Sequence, residues 1–225
     1  AATKQTLEDL YLPYKPKRRT RAQIAREAGL EPLADGLFAD PTLDPEREAA
    51  KYLNVKPASE GVEAINVPDA KSALEGARDI LVERFAETAE LLATLRTRLW
   101  DQGVVTSTVM KGKETAEEEK FRDYYAYSET IRTIPSHRAL ALFRGRTLGV
   151  LKIDLGLGEA LDAVVPHPCI ATIAAHVGIE DRGRRADTWL MGVCDWAWRV
   201  KMHLQLSVEL LVQLREAAEA EAIKI

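Results

Sequence analysis

Apolar residues recur at helical spacing through most of the chain. The clearest run follows "NVPDAKSAL". Behind Pro68 and Asp69, the residues Ala73, Ala77, Ile80, Leu81 and Phe85 fall on one face of a helix, and Leu91, Leu92, Leu95 and Leu99 carry the period on to Trp100. One helix of that length is uncommon, so two are predicted, broken near Glu87–Thr88. Upstream, Leu7 to Leu12 forms a short helix behind the N-cap Thr6, and Pro13 ends it. Thr20 opens another helix with Gln23 three residues later, a capping box. There Ile24 and Ala28 are expected to face inward, with Gly29 closing the helix. Short helices near Glu31–Phe38 and Pro45–Leu53 fit the proline-punctuated stretch that follows.

After Gly103 the period changes. "VVTSTVM" is rich in β-branched residues and predicts a strand. "TAEEEKFRDYYAY" predicts a helix with a capping box of Thr115 and Glu118, and "SHRALALFR" a helix behind Pro135 that Gly145 ends. "GVLKIDL" is a second strand, with Leu151, Ile153 and Leu155 on one face. Residues 86–157 therefore read helix, strand, helix, helix, strand, an order shared with winged helix-turn-helix units. Beyond Pro166 the pattern is helical again: Ile170–Val177, Asp187–Met202, and a long helix from Leu206 whose buried stripe is Leu210, Leu211, Leu214, Ala217 and Ala218. The chain opens on Ala1 rather than Met, and "REAAEAEAIKI" carries no stop signal. A piece of a longer protein is expected, with its last helix running on.

Composition narrows the classes. The 225 residues can bury a sizeable core. No stretch approaches the uninterrupted apolar length of a membrane span, so no membrane partner is expected. There is no signal peptide pattern, and the two cysteines, Cys169 and Cys194, make no disulfide framework, so a cytoplasmic setting is expected. The net charge of −4 excludes a whole-protein positive field; nucleic-acid binding would have to come from local patches.

Several motifs weigh against chemistry. "DLGLGEAL" has Gly156 and Gly158 after a strand, but Leu161 stands where a dinucleotide fingerprint needs a small residue, so a turn is expected. His167, Cys169, His176 and Cys194 lack the close ligand pairs of structural zinc, and the cysteines sit among apolar residues. No metal and no cofactor is expected. Ser136 beside His137 reads as a helix cap, since a catalytic pair is assembled by the fold and not by adjacency. Trp196 and Trp198, two apart, cannot share one helix face; one is expected in the core.

Basic clusters remain. Lys15, Lys17, Arg18, Arg19, Arg21 and Arg26 lie within twelve residues, beside Tyr11 and Tyr14. Lys111 and Lys113, then Arg144 and Arg146, lie in the strand-containing segment, and Arg182, Arg184 and Arg185 in a loop. Clustered cations bind phosphates, and neighbouring aromatics suit single-stranded bases. The same runs also serve as solvated faces among abundant acids.

"TLEDLYLPYKPKRRTRAQIAREAGLEPLAD", "IPSHRALALFRGRTLGVLKI" and "WAWRVKMHLQLSVELLVQLREAAEAEAIKI" together resemble three blocks of the Tex family of bacterial transcriptional accessory proteins, in the same order. The resemblance implies a mainly α fold: a multi-helix region of 1–75 and 159–225, with an inserted helix-turn-helix-like unit at 76–158 carrying two short β-strands. Family members also carry ribonuclease-H-like, helix-hairpin-helix and OB-fold RNA-binding domains, none of which the 225 residues contain. The implied function is non-enzymatic nucleic-acid binding (RNA or DNA) in transcription, with RNA polymerase or other transcription machinery as a protein partner. The expected contacts are Lys17, Arg18, Arg19, Arg21, Lys111, Lys113, Arg144 and Arg146. The alternative is a protein-interaction scaffold that binds no nucleic acid itself. A nucleic-acid-processing enzyme would need clustered carboxylates, and "TAEEEK" reads instead as a helix start, where acids suit the macrodipole.

Overall fold

The computed structural model describes residues 4–15, 19–113 and 119–224. As expected, the protein is mainly α-helical, and it divides into two compact units: Ala1–Leu92 with Cys169–Met202, and Ala93–Pro168 with His203–Ile225.

The first unit is built on α5 (Ala70–Ala86), which starts behind Asp69 because the Asp69 carboxylate accepts the Ser72 N–H at 2.7 Å. Packed on α5 are α2 (Arg21–Glu27), α3 (Glu31–Ala39), α4 (Pro45–Ala49) and α10 (Asp187–Trp196), the last running on as a π-helical segment, Ala197–Met202. α1 (Lys4–Tyr11) precedes them, and α9 (Pro168–Val177) opens the unit's second stretch of chain. Ala73, Ala77, Ile80, Leu81 and Phe85 are all buried, the face the sequence pattern marks. At Gly76 an added Cβ would come within 2.4 Å of Leu30 Cδ1 and 3.2 Å of Ala25 Cβ, so the glycine allows α2 and α5 their close approach. Thr20 Oγ1 accepts the Gln23 N–H at 3.1 Å as the capping pattern predicts, but the Gln23 side chain reaches Glu27 instead of closing the box. Ile24, expected in the core, is 45% exposed. The inward face of α2 is Ala22, Ala25 and Ala28, small residues that the close packing requires. A two-stranded antiparallel hairpin, β1 (Asn54–Lys56) and β2 (Ile65–Val67), escaped the sequence pattern because each strand has only three residues.

In the second unit, the antiparallel sheet β4-β3-β5 holds β3 (Val104–Val109) between β4 (Ala126–Thr130) and β5 (Leu151–Gly156). α7 (Ser136–Thr147) and α11 (His203–Ala222) pack on one another and on β5, and α6 (Ala89–Gln102) contributes the buried Leu95 and Leu99. α8 (Glu159–Asp162) is a single turn after Gly158 (φ +90°). The break between α5 and α6 falls at Glu87–Thr88, as the pattern predicts.

Two readings need correction here. "TAEEEKFRDYYAY" is not one helix: Glu119–Tyr124 is a 3₁₀ turn and Ala126–Thr130 is a strand, so this segment carries three strands where two were expected. The proposed cap at Thr115 and Glu118 lies outside the described residues. Tyr127 and Thr130 favour extended backbone, and pairing with β3 satisfies their backbone groups. Gly145 does not end α7. It is buried inside the helix, where a Cβ would lie 2.5 Å from Leu151 Cδ1, and the helix closes at Gly149 (φ +70°).

Candidate nucleic-acid interface

The expected contact residues divide between the two units. Lys17 and Arg18 lie outside the described residues. Arg19 forms an ion pair with Glu27 at 2.7 Å and a second with Glu63. Arg21 is exposed and has no ion pair among the described residues. Arg19 and Arg21 line an open cleft of about 710 Å³ bounded by α2, the loop before β2, and α5. Glu27, Glu63, Glu75 and Asp79 line the same cleft, so its charge is mixed and offers a polyanion little net attraction.

The other four are gathered by the fold of the second unit. β3 ends at Val109, and the next amide, Met110 N–H, donates to Val150 O at 2.8 Å. Val150 N–H in turn donates to Gly145 O at 2.9 Å. These two bonds bring the turn bearing Lys111 and Lys113 against the last turn of α7, where Arg144 and Arg146 flank the buried Gly145. Gly112 (φ +81°) shapes that turn, and Lys113 N–H closes it on Met110 O at 3.0 Å. Tyr125 lies beside it, its hydroxyl 3.4 Å from Lys113 O. All four basic side chains are exposed, and Lys111, Arg144 and Arg146 have no ion pair among the described residues. Two residues apart on a helix, the arginines leave it on different flanks, so the cations spread across the end of the sheet. Arginines in a last helical turn also complement the macrodipole, a stabilising role independent of any ligand.

Four nearby or loop cations are committed elsewhere. Lys152 pairs with Asp154 at 2.9 Å, and Arg138 with Glu129 at 3.2 Å. Arg182 pairs with Glu180, and Arg184 with the buried Asp187 at 2.9 Å. Asp187 also accepts the N–H groups of Arg182 and Arg184, each at 2.8 Å. The Arg184 guanidinium, helped by those amides, lowers the Asp187 carboxyl to about 2. Arg182 and Arg184 thus serve the loop's own structure, and Ala186 N–H ties the loop to Pro41 O at 2.9 Å.

The remaining motifs take structural places. Cys169 and Cys194 are buried, and burial pushes the Cys194 thiol up to about 12. His167 Nε2 lies 2.9 Å from Asp162, whose carboxylate accepts the Leu157 N–H and so organises the turn after β5. Among the described residues no group of three or more His, Cys, Asp or Glu is placed to hold a metal ion. Ser136, expected as a cap, is instead the first residue of α7, and its hydroxyl donates to Glu221 of α11. Trp198 is buried while Trp196 is 36% exposed, the split that their spacing predicts. Among the described residues no helix is long and apolar enough to cross a membrane.

A mainly helical protein of two units, one of them ending in an exposed basic rim, is what the fold defines. The family model described as Tex central region-like matches residues 40–225, and the chain belongs to the Tex family. Protein tex of Bordetella pertussis is 52% identical, covering 100% of this chain and 28% of its own length. Protein YhgF of Escherichia coli is 50% identical, covering 99% and 28%. The transcriptional accessory protein Tex of Neisseria gonorrhoeae is 47% identical, covering 100% and 28%. The chain thus spans a little over a quarter of the length of these relatives.

Proposed function

We propose that this chain is a non-enzymatic, cytoplasmic scaffold of a transcription accessory protein, and that it contacts RNA or DNA phosphates through Lys111, Lys113, Arg144 and Arg146. Residues 76–158 are read as its helix-turn-helix-like insertion, between 1–75 and 159–225. The observation that carries the reading is the assembly of these cations from two separate stretches of chain, most of them unmatched by an acid among the described residues. The relatives' names supply the setting in transcription. The mode is phosphate neutralisation with little base reading, because flexible Lys and Arg at a turn and a helix end present no array fitted to base edges.

Fluorescence anisotropy tests it. Single-stranded RNA, single-stranded DNA and duplex DNA are titrated with the 225-residue protein across a salt series. Steeply salt-dependent binding is expected, and Lys111→Glu/Arg144→Glu/Arg146→Glu should flatten the log–log salt slope by roughly two to three units. Unchanged affinity and slope in a folded triple variant would remove this interface. Cleavage of labelled RNA or DNA with added Mg²⁺ would overturn the non-enzymatic reading.

A further inference from the structure

The first unit carries a second concave feature, of different character. Between α5 and α10 lies a groove of about 450 Å³ lined by Leu74, Arg78, Trp189, Gly192, Val193 and Trp196. Trp189, Gly192, Val193 and Trp196 fall on one face of α10 at i, i+3, i+4 and i+7. Gly192 sits between the two indoles, and an added Cβ there would meet nothing within 4 Å. The glycine is thus the open floor of a slot with an aromatic group at each end. Arg78 of α5 lies over the Trp196 ring, 4.0 Å from its centroid, and fixes one wall.

The rim decides what such a slot would accept. Arg78 is matched by Asp79 at 3.2 Å, whereas Lys71, also on the rim, has no ion pair among the described residues. Glu46 and Glu75, also on the rim, have no ion pair among the described residues. Two unmatched acids against one unmatched lysine leave the rim with a negative balance. That disfavours a phosphate backbone and favours a cation beside the apolar contact. Slots of this size with two aromatics suit one large anchoring side chain.

We propose that the α5–α10 groove captures a short basic peptide segment of a partner protein, seating one aromatic or long aliphatic side chain between Trp189 and Trp196 over Gly192, with flanking lysine or arginine at Glu46 and Glu75. This surface is separate from the basic rim of the second unit and carries the opposite charge preference.

The probe is a fluorescein-labelled synthetic peptide with one phenylalanine flanked by lysines, titrated against the 225-residue protein at low salt. Saturable anisotropy is expected, with concurrent quenching of tryptophan emission. Replacing the phenylalanine by alanine, or the lysines by glutamates, should each weaken binding by roughly tenfold or more. Gly192→Leu projects into the slot from a Cβ position that meets nothing within 4 Å and favours helix, so its circular-dichroism spectrum should be native while binding is lost. Glu46→Lys/Glu75→Lys should weaken binding by roughly tenfold. The proposal is overturned by no binding of the lysine–phenylalanine peptide, by equal binding of the alanine peptide, or by undiminished binding to a folded Gly192→Leu protein. It is also overturned if single-stranded RNA quenches the same tryptophans and displaces the peptide, since the slot would then be a stacking site for bases.

Discussion

Arg26 and Glu83 form a largely buried ion pair, with 2.8 Å between Nη1 and Oε1, that joins α2 to α5. Glu83 is 3% exposed, and its other carboxylate oxygen accepts the Thr20 hydroxyl at 2.9 Å. Thr20 is also the cap of α2, so one carboxylate fixes both the start of that helix and its docking. Removing the arginine takes a charge-assisted hydrogen bond from a buried carboxylate, whereas removing the charge from the acid leaves an arginine that water can reach. Arg26→Ala is therefore expected to cost about 2–3 kcal/mol and Glu83→Gln about 1 kcal/mol. Urea unfolding monitored by circular dichroism checks the order, and equal losses would show that the pair does not carry the contact.

Gly103 joins α6 to β3 where the chain has no room for a side chain. Its amide donates to Leu99 O at 2.9 Å, and an added Cβ would lie 2.0 Å from that oxygen. Because the obstacle is backbone, no rotamer relieves it. Gly103→Ala is expected to destabilise the protein by about 2–4 kcal/mol, while Gly36→Ala, where a Cβ meets nothing, should be neutral or stabilising. Thermal melts of the two variants separate these outcomes.

Asp187 makes stability depend on acid. Its carboxyl, held at about 2 against an ordinary 3.8, stabilises the folded state above the unfolded value, and that contribution fades as pH falls from about 4 to about 2. Asp187→Asn is accordingly expected to be less stable than the parent at pH 6, with the gap closing between pH 4 and pH 2. A gap that stays constant over that window would show that the ion pair is not its source.

The two candidate basic regions should respond differently to single charge reversals. Arg19 is held by Glu27 and Glu63, so Arg19→Glu is expected to leave nucleic-acid affinity within roughly twofold, whereas Lys111→Glu and Arg146→Glu should each weaken it by roughly three- to tenfold at low salt. Anisotropy titration against one RNA oligonucleotide measures all three. A larger loss at Arg19 than at Lys111 would move the interface to the first unit.

Helical periodicity located α5, α6 and the break between them to within two residues, because a buried helix face repeats every three to four positions and leaves a long signal. β5 was legible for the same reason, its alternation of Leu151, Ile153 and Leu155 matching a strand with one buried face. β4 was not, since a run of glutamates beside it is a strong local helix signal and only pairing with β3 outweighs it. The inward face of α2 was misread through Ile24: hydrophobicity nominates the large residue, while the closeness of α2 to α5 admits only alanines. Trp189 and Trp196 share a face by spacing alone, yet Arg78, which completes their slot, comes from a helix more than a hundred residues away.

By itself the sequence determined the helical class, the family and the inventory of cations, because these depend on composition, local period and extended motifs. The tertiary structure alone decided which of the described cations lie against an acid. Arg19, Arg182 and Arg184 are matched by acids brought close in folding, whereas Lys111 and Arg146, drawn toward each other through Met110, Val150 and Gly145, have no ion pair among the described residues. Charge is a property of residues, but its neutralisation depends on distances of a few ångströms, and those are set by packing.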